Sequence, residues 1–396
     1  MKKLCVLLCI YLFHFITNAQ TKTIYVFDLV NGTTDSITSI VFDTSIVRDS
    51  TRFFEGNFNS SVASLYQTTP TNHIYPNTNF TYKKQASLDF DPNDYPLRTS
   101  VKLFGIRNDT AYGLCSGSLI SRRHVLSAAH CVSRINTNIL HTDSIKVAPV
   151  FDNGAYNSNF NSSYVTKIYV IKDWNLAGED LTVLELNQDI GAATGWISIG
   201  FDKDPASLTQ GMFYKFSYPG TTIPTIDTNE YNGDTLYYNY GHIDIVNQNN
   251  IGIRGTSGIP GESGSSLIKI KNNQTYTTYG ALSFANGLRH SRIDNWEFYA
   301  FKHIIQNDLT SVPLLQKSES QFIIYPNPVS DFFWIKNLNE NDITELALFN
   351  NLGKMVWFKH QIQPYSQINI SELSSGVYYL RISSDMHMET VKIIKH

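Results

Sequence analysis

Three residue types that can together break an acyl bond occur in this chain in one order. They are His130 in "VLSAAHC", Asp180 in "GEDLTVLEL" and Ser263 in "GIPGESGSSL", 50 and 83 residues apart. A serine hydroxyl becomes a nucleophile when a base takes its proton and donors stabilise the oxyanion that forms. Gly261, two residues before Ser263, lets the backbone aim two N–H groups at one spot, and Gly264 leaves room for an acyl group. By itself a Gly-x-Ser-Gly stretch also describes a surface loop. A histidine beside a cysteine is packing in most proteins, but the two alanines before His130 let strands close around an imidazole. Imidazole is the side chain suited to act as a base near neutral pH. Asp180 stands where the alternating run Leu181, Val183, Leu184, Leu186 enters a core. An aspartate there is a turn or cap residue unless it is buried, when a histidine N–H would satisfy it and fix the tautomer. Glu179 offers the same group one residue further from the strand.

The elements that position these residues read as strands. Only 16% of the 396 residues are charged, while Tyr and Phe number 23 each, a composition that favours strands and turns. Short apolar runs such as "SVKLFGI", "YVTKIYVI" and "GMFYKFSY" recur near every ten residues between turns, as in an all-β barrel or sandwich. "FYAFKHIIQNDL" has helical spacing and closes the region. A net charge of −3 provides no polycationic surface, so nucleic acid is not an expected partner.

The start, "MKKLCVLLCIYLFHFITNAQ", has two lysines, a short apolar run and a small residue at Ala19, the pattern of a signal peptide over residues 1–19. The run is too short to span a bilayer comfortably and no later segment is longer, so no stable membrane insertion is expected. Cys5 and Cys9 leave with the signal, and Cys115 and Cys131 remain as one disulfide in an exported chain. Residues 20–94 alternate and then become rich in Asn, Thr, Pro and Tyr, as in a pro-region or N-terminal extension. A polar linker over 311–321 precedes a separate unit at 322–396, where Asn350 to Gly353 turns between two alternating runs. This tail reads as a small β-sandwich with a targeting or interaction role.

Taken together, "CSGSLI", "VLSAAHC", "DLTVLEL" and "GESGS" resemble, in this order, the motifs of trypsin/chymotrypsin-like serine peptidases over about residues 95–310. "YPLRTSVKLFG", "FSYPGTTI" and the Ser-Gly-Ser after Glu262 are most similar to the bacterial V8-like, glutamyl-endopeptidase branch. The resemblance implies two six-stranded antiparallel β-barrels with the site in their cleft. It implies His130 as general base and acid, Asp180 as its orienter, Ser263 as nucleophile, and the N–H groups of Gly261 and Ser263 as the oxyanion hole. The implied activity is serine endopeptidase action on proteins or peptides, with no metal or organic cofactor. "DFDPND" is acidic but lacks the ligand spacing of a calcium loop. No Ile-Val-Gly-Gly-like new N-terminus precedes the region, and Glu262 stands where animal zymogens have Asp. Activation by a buried N-terminal salt bridge is therefore not implied, and a processing cut is expected within 20–94, after Lys83 or Lys84. In the substrate pocket, Ser283 falls where a serine supports the buried aspartate, and Leu282 where glutamate-selective members carry His. Ser257 falls at the pocket base and is neutral. Glu297 falls either on the opposite wall, where it would receive Lys or Arg, or in a solvated loop.

"YPNPVSD", "NLGKMV", "SSGVYYLRI" and "KIIKH" resemble the type A sorting domain of the type IX secretion system of Bacteroidetes. That implies passage through the periplasm and outer membrane, the secretion machinery as a partner, a secreted or cell-surface location, and removal of the tail on arrival. The competing class is a catalytically silent surface or adhesion protein on the same scaffold, since fold alone does not guarantee activity.

Overall fold

The structure, a computed structural model, describes residues 22–38, 40, 42–58, 61–66, 80–135, 137, 139–176, 178–221, 230–253, 258–270, 275–284, 289–310, 322–337, 343–350, 354–363, 365–383 and 388–396. Two compact units divide the chain, Met1–Thr310 and Ser311–His396.

The first unit begins with a hairpin of β1 (Ile24–Asp28) and β2 (Thr33–Ile37). In β1 Ile24 and Phe27 are buried, one on each face of the strand, whereas β2 reads TTDSI and lies largely in solvent. Two short strands follow, β3 (Arg48–Ser50) and β4 (Lys84–Gln85). Then come β5 (Ser100–Arg107), β6 (Thr110–Leu119), β7 (His124–Ser127), β8 (Ser144–Pro149), β9 (Ser163–Ile171) and β10 (Thr182–Leu186). These six close into an antiparallel ring, β5-β6-β7-β10-β9-β8 and back to β5. All five residues of β10 are buried, and its two polar side chains are paired: Thr182 donates to the Tyr169 carbonyl, while Glu185 accepts from Lys167 and the Tyr169 hydroxyl. β1 adds to the edge of β9.

A second sheet holds β11 (Ser198–Asp202), β12 (Phe213–Ser217), β13 (Tyr237–Gly241), β14 (Ile245–Val246), β15 (Asn250–Gly252), β16 (Ser266–Ile270), β17 (Tyr276–Phe284) and β18 (Arg289–Arg292). Its order is β14-β15-β18-β17-β16-β12-β13-β4, with β11 between β17 and β3. Where the sequence leads one to expect a second closed six-stranded barrel, the described residues form a branched sheet. It recruits β3 and β4 from the N-terminal segment, so the part read as a pro-region or extension contributes strands to both sheets of this unit. The helix Asn295–Thr310 ends the unit.

The second unit contains β19 (Phe322–Tyr325), β20 (Phe332–Asn337), β21 (Ile343–Asn350), β22 (Met355–Ile362), β23 (Tyr365–Asn369), β24 (Gly376–Ser383) and β25 (Met388–Lys395). They form a three-stranded sheet, β19-β20-β23, and a four-stranded one, β22-β21-β24-β25. Phe333, Ile335 and Ile368 of the first sheet share a core with Leu346, Leu348, Leu380 and Ile382 of the second, the arrangement of a sandwich.

Candidate active site

The register of the first ring brings two of the three chemical residues together. Thr182 of β10 faces Ser127 of β7, so continuing the ladder past both strand ends puts residue 180 opposite residue 129. There the chain makes the short helical turn Ala129–Cys131, and fully buried Ala128 and Ala129 leave space for the imidazole beside them. The backbone N–H of His130 donates to Asp180 Oδ1 at 2.8 Å, and His130 Nδ1 lies 2.6 Å from Asp180 Oδ2. Ser283 also donates its hydroxyl to Oδ2. Asp180 is wholly buried, and its own N–H donates to the Ser291 hydroxyl at 3.1 Å. A carboxylate in this setting holds the proton on Nδ1, which leaves Nε2 as the basic nitrogen of a ring that is 27% exposed. Glu179, the alternative carboxylate, has a left-handed backbone and turns away to receive Lys22 Nζ at 2.6 Å.

Cys115 and Cys131 form a disulfide with Cα atoms 6.2 Å apart, tying β6 to the His130 turn. The imidazole and both sulfurs lie close enough to suggest a metal site, but bridged sulfurs offer no thiolate. The bridge closes a loop with a sequence separation of 16. Replacing both cysteines by serine is therefore expected to cost about 3 kcal/mol, read from urea unfolding of the oxidised and doubly substituted proteins.

Ser263 sits half-buried on a turn whose glycines are required by space as well as by backbone angle. Gly261 has φ +96°, and a Cβ there would meet the Tyr218 carbonyl oxygen at 2.3 Å. Gly264 has φ +82°, and its Cβ would lie 2.1 Å from Ser127 Oγ and 2.9 Å from the Ala128 nitrogen. The nucleophile turn is thus pressed against the residues that lead into His130. Ser116 fastens it twice, its N–H donating to the Ser263 carbonyl at 2.9 Å and its hydroxyl to the Gly261 carbonyl at 2.8 Å. Gly264 N–H donates to Leu282 O at 2.8 Å, next to the Ser283 that holds Asp180. Among the described residues no acceptor takes the N–H of Gly261 or of Ser263.

Glu262 is completely buried beneath this turn. Its Oε1 lies 2.8 Å from Lys215 Nζ and accepts the Ser217 hydroxyl at 2.9 Å. Its Oε2 accepts the Ile259 N–H at 2.8 Å and lies 3.5 Å from Lys83 Nζ. Burial pushes this carboxyl up, but Lys215 and Lys83 with the hydrogen bonds outweigh it, so its pKa lies below the ordinary glutamate value. A carboxyl depressed in the fold contributes stability above its unfolded value, near 4.3, and that contribution is lost as pH falls through the folded one. The turn is accordingly expected to loosen reversibly in acid below about pH 4. Hydrogen exchange of residues 258–265 across an acid titration measures it, and Glu262→Gln should flatten the response.

Of the residues read as pocket, Ser283 is occupied with Asp180, and Ser257 lies outside the described residues. Glu297 is not solvated. It is buried in the first turn of the C-terminal helix and receives Lys22 Nζ at 2.9 Å, with that ammonium over the Trp296 ring. Burial holds its carboxyl above the usual range despite Lys22. The residues missed from sequence are Lys22, Lys83, Lys215 and Ser291. Only Lys215 carried a signal, as a lysine on the same strand face as Phe213 and Ser217 in an otherwise apolar run.

A closed six-stranded ring bearing a buried aspartate–histidine pair, with a glycine-flanked serine turn packed against it, defines a chymotrypsin-like protein. The chain belongs to the trypsin family, whose model, described as Trypsin, matches residues 91–300, more than half of the sequence. Residues 323–396 match the secretion system C-terminal sorting domain, which marks the protein for the exterior or the cell surface. Chymotrypsin-C of Mus musculus is 33% identical over 110 residues, 26% of this chain and 36% of that protein. Serine protease 23 of Mus musculus is 37% identical over 73 residues, 18% of this chain and 17% of that protein. The chain thus spans about a third or less of the curated relatives it matches. A solved structure of a Glu endopeptidase in complex with MPD is similar at 19% identity, covering 57% of this chain and 96% of its own, with a TM-score of 0.43. Among the described residues no helix is long and apolar enough to cross a membrane.

Proposed function

We propose that this chain is a secreted serine endopeptidase with Ser263 as nucleophile, His130 as base and Asp180 as orienter. The observation that carries the reading is the His130–Asp180 pair, in which a buried carboxylate accepts from the ring, from the backbone of the same histidine and from Ser283. His130 Nε2 takes the Ser263 proton as Oγ attacks a peptide carbonyl. The N–H groups of Gly261 and Ser263 receive the oxyanion, each such donor contributing about 10²–10³ in rate. Collapse of the tetrahedral species passes the proton from His130 to the leaving amine. Water, activated by the same nitrogen, then releases the acyl group and restores the serine. The tail delivers the enzyme through the type IX machinery and is removed outside.

Treatment of folded, processed protein with a fluorophosphonate tests this reading. An adduct on Ser263, located by peptide mass spectrometry, together with hydrolysis of casein is the expected result. Folded protein that takes no adduct would return the chain to the silent surface class, and hydrolysis of simple esters without casein would make it an esterase.

A further inference from the structure

The charge beneath the nucleophile turn is supplied in part from outside the barrel region. A buried carboxylate persists only if it is paired and hydrogen-bonded. Glu262 has a separate lysine on each oxygen, Lys215 on Oε1 and Lys83 on Oε2. Oε2 also accepts the Ile259 N–H, while the Glu262 N–H donates to the Ile259 carbonyl at 3.1 Å. The side chain therefore locks residues 259–262 into one turn, and the aim of the Gly261 and Ser263 N–H groups depends on that lock. Lys215 belongs to β12, within the trypsin-like region. Lys83 belongs to the N-terminal segment, one residue before β4, and is 3% exposed. Its segment is sewn to β13 and its flanks: Thr81 N–H donates to Tyr240 O and Ala86 N–H to Leu236 O, both at 2.9 Å, and β4 pairs with Tyr237 and Tyr238. Phe80 and Thr81 are as buried as Lys83. Peptidases cut exposed, mobile chain, and the bonds after Lys83 and Lys84 lie in or beside a paired strand. No new α-amino group is required here, because ammonium groups already stand at both oxygens of Glu262.

Resting on the peptidase reading, we infer that Lys83 is a positioning residue for the nucleophile turn and that the active enzyme retains its N-terminal segment from Lys83 onward. It is a lysine carried by the uncut chain, in place of a freshly cut terminus, that holds Glu262.

Two measurements on the secreted protein test this. Mass spectrometry of the fluorophosphonate-labelled wild type should find an N-terminus at or before Lys83. Lys83→Met keeps the side-chain length and leaves Lys215 to neutralise Glu262, so the variant should fold. Its labelling rate and kcat should fall about ten- to a hundredfold, as expected for a displaced reacting group, with KM nearly unchanged. Lys83→Arg should recover most of the loss. Fully active labelled protein beginning after Lys83 would overturn the inference. So would a Lys83→Met protein that labels at the wild-type rate per folded molecule, even with a lowered melting temperature, since that is a merely structural role. Wild type that takes no label sinks the peptidase reading itself, and the inference with it.

Discussion

Ser263→Ala is expected to lower turnover of a fluorogenic peptide about a million-fold, and adding His130→Ala to that variant should cost almost nothing more. In the proposed mechanism the two side chains act as one device. Without the hydroxyl there is no proton for Nε2 to take, and without the imidazole the hydroxyl stays a weak nucleophile. What remains is a residual acceleration of about 10³–10⁴ over water from the oxyanion donors and from binding. The backbone around Ser263 is held by Ser116, Gly264 and Glu262, not by the Ser263 hydroxyl, so the alanine variant should melt like the wild type. Steady-state assays of the two single variants and the double variant measure the effect. Losses that multiply would mean that Ser263 and His130 work separately and would refute the shared mechanism.

Asp180→Asn should cost about 10⁴ in kcat while leaving the fold intact. The physical cause is the direction of one hydrogen bond. In the native site Oδ1 accepts the His130 N–H and Oδ2 accepts from Nδ1 and from Ser283. An asparagine has one accepting oxygen and one donating NH₂. If the oxygen stays with the backbone N–H, the NH₂ faces Nδ1, and the ring must carry its proton on Nε2. That nitrogen can then no longer receive the serine proton. Ser283→Ala removes a single donor and leaves the tautomer correct, so it should be far milder. Comparing kcat of the two variants, with NMR of the imidazole protons to report the tautomer, separates loss of orientation from loss of charge. Equal effects would show that support of the carboxylate matters more than the tautomer.

Much of this site is legible along the chain, for a reason visible in its construction. His130, Asp180 and Ser263 lie on tight turns next to strand ends, and the glycines and alanines that make those turns possible are short-range patterns. The closed ring is equally open to reading, since β5 to β10 alternate or run apolar as their burial requires. Residues 22–94 are not. Their polar, Asn- and Thr-rich texture describes exposed chain, yet Phe80, Thr81 and Lys83 are buried because the edge of β13 offers a ladder to complete. A lysine in such a segment reads as solvated, and nothing local shows that Lys83 meets Glu262, 179 residues later, or that Lys22 meets Glu297. Glu297 was open to two readings for the same reason: a carboxylate's partner across 275 residues leaves no trace in spacing. Long-range charge pairing is set by tertiary packing, and single residues carry little record of it.

The sandwich at the C-terminus has a core of its own, from Phe333 and Ile335 to Leu380 and Ile382. A unit that closes its own core carries its own folding free energy. The first unit likewise has a core cluster of its own, so each unit carries a separate interior. On the proposed export route, a tail that holds its own core can serve as a separable address, and the same tail joined to an unrelated folded protein would bring its own interior with it.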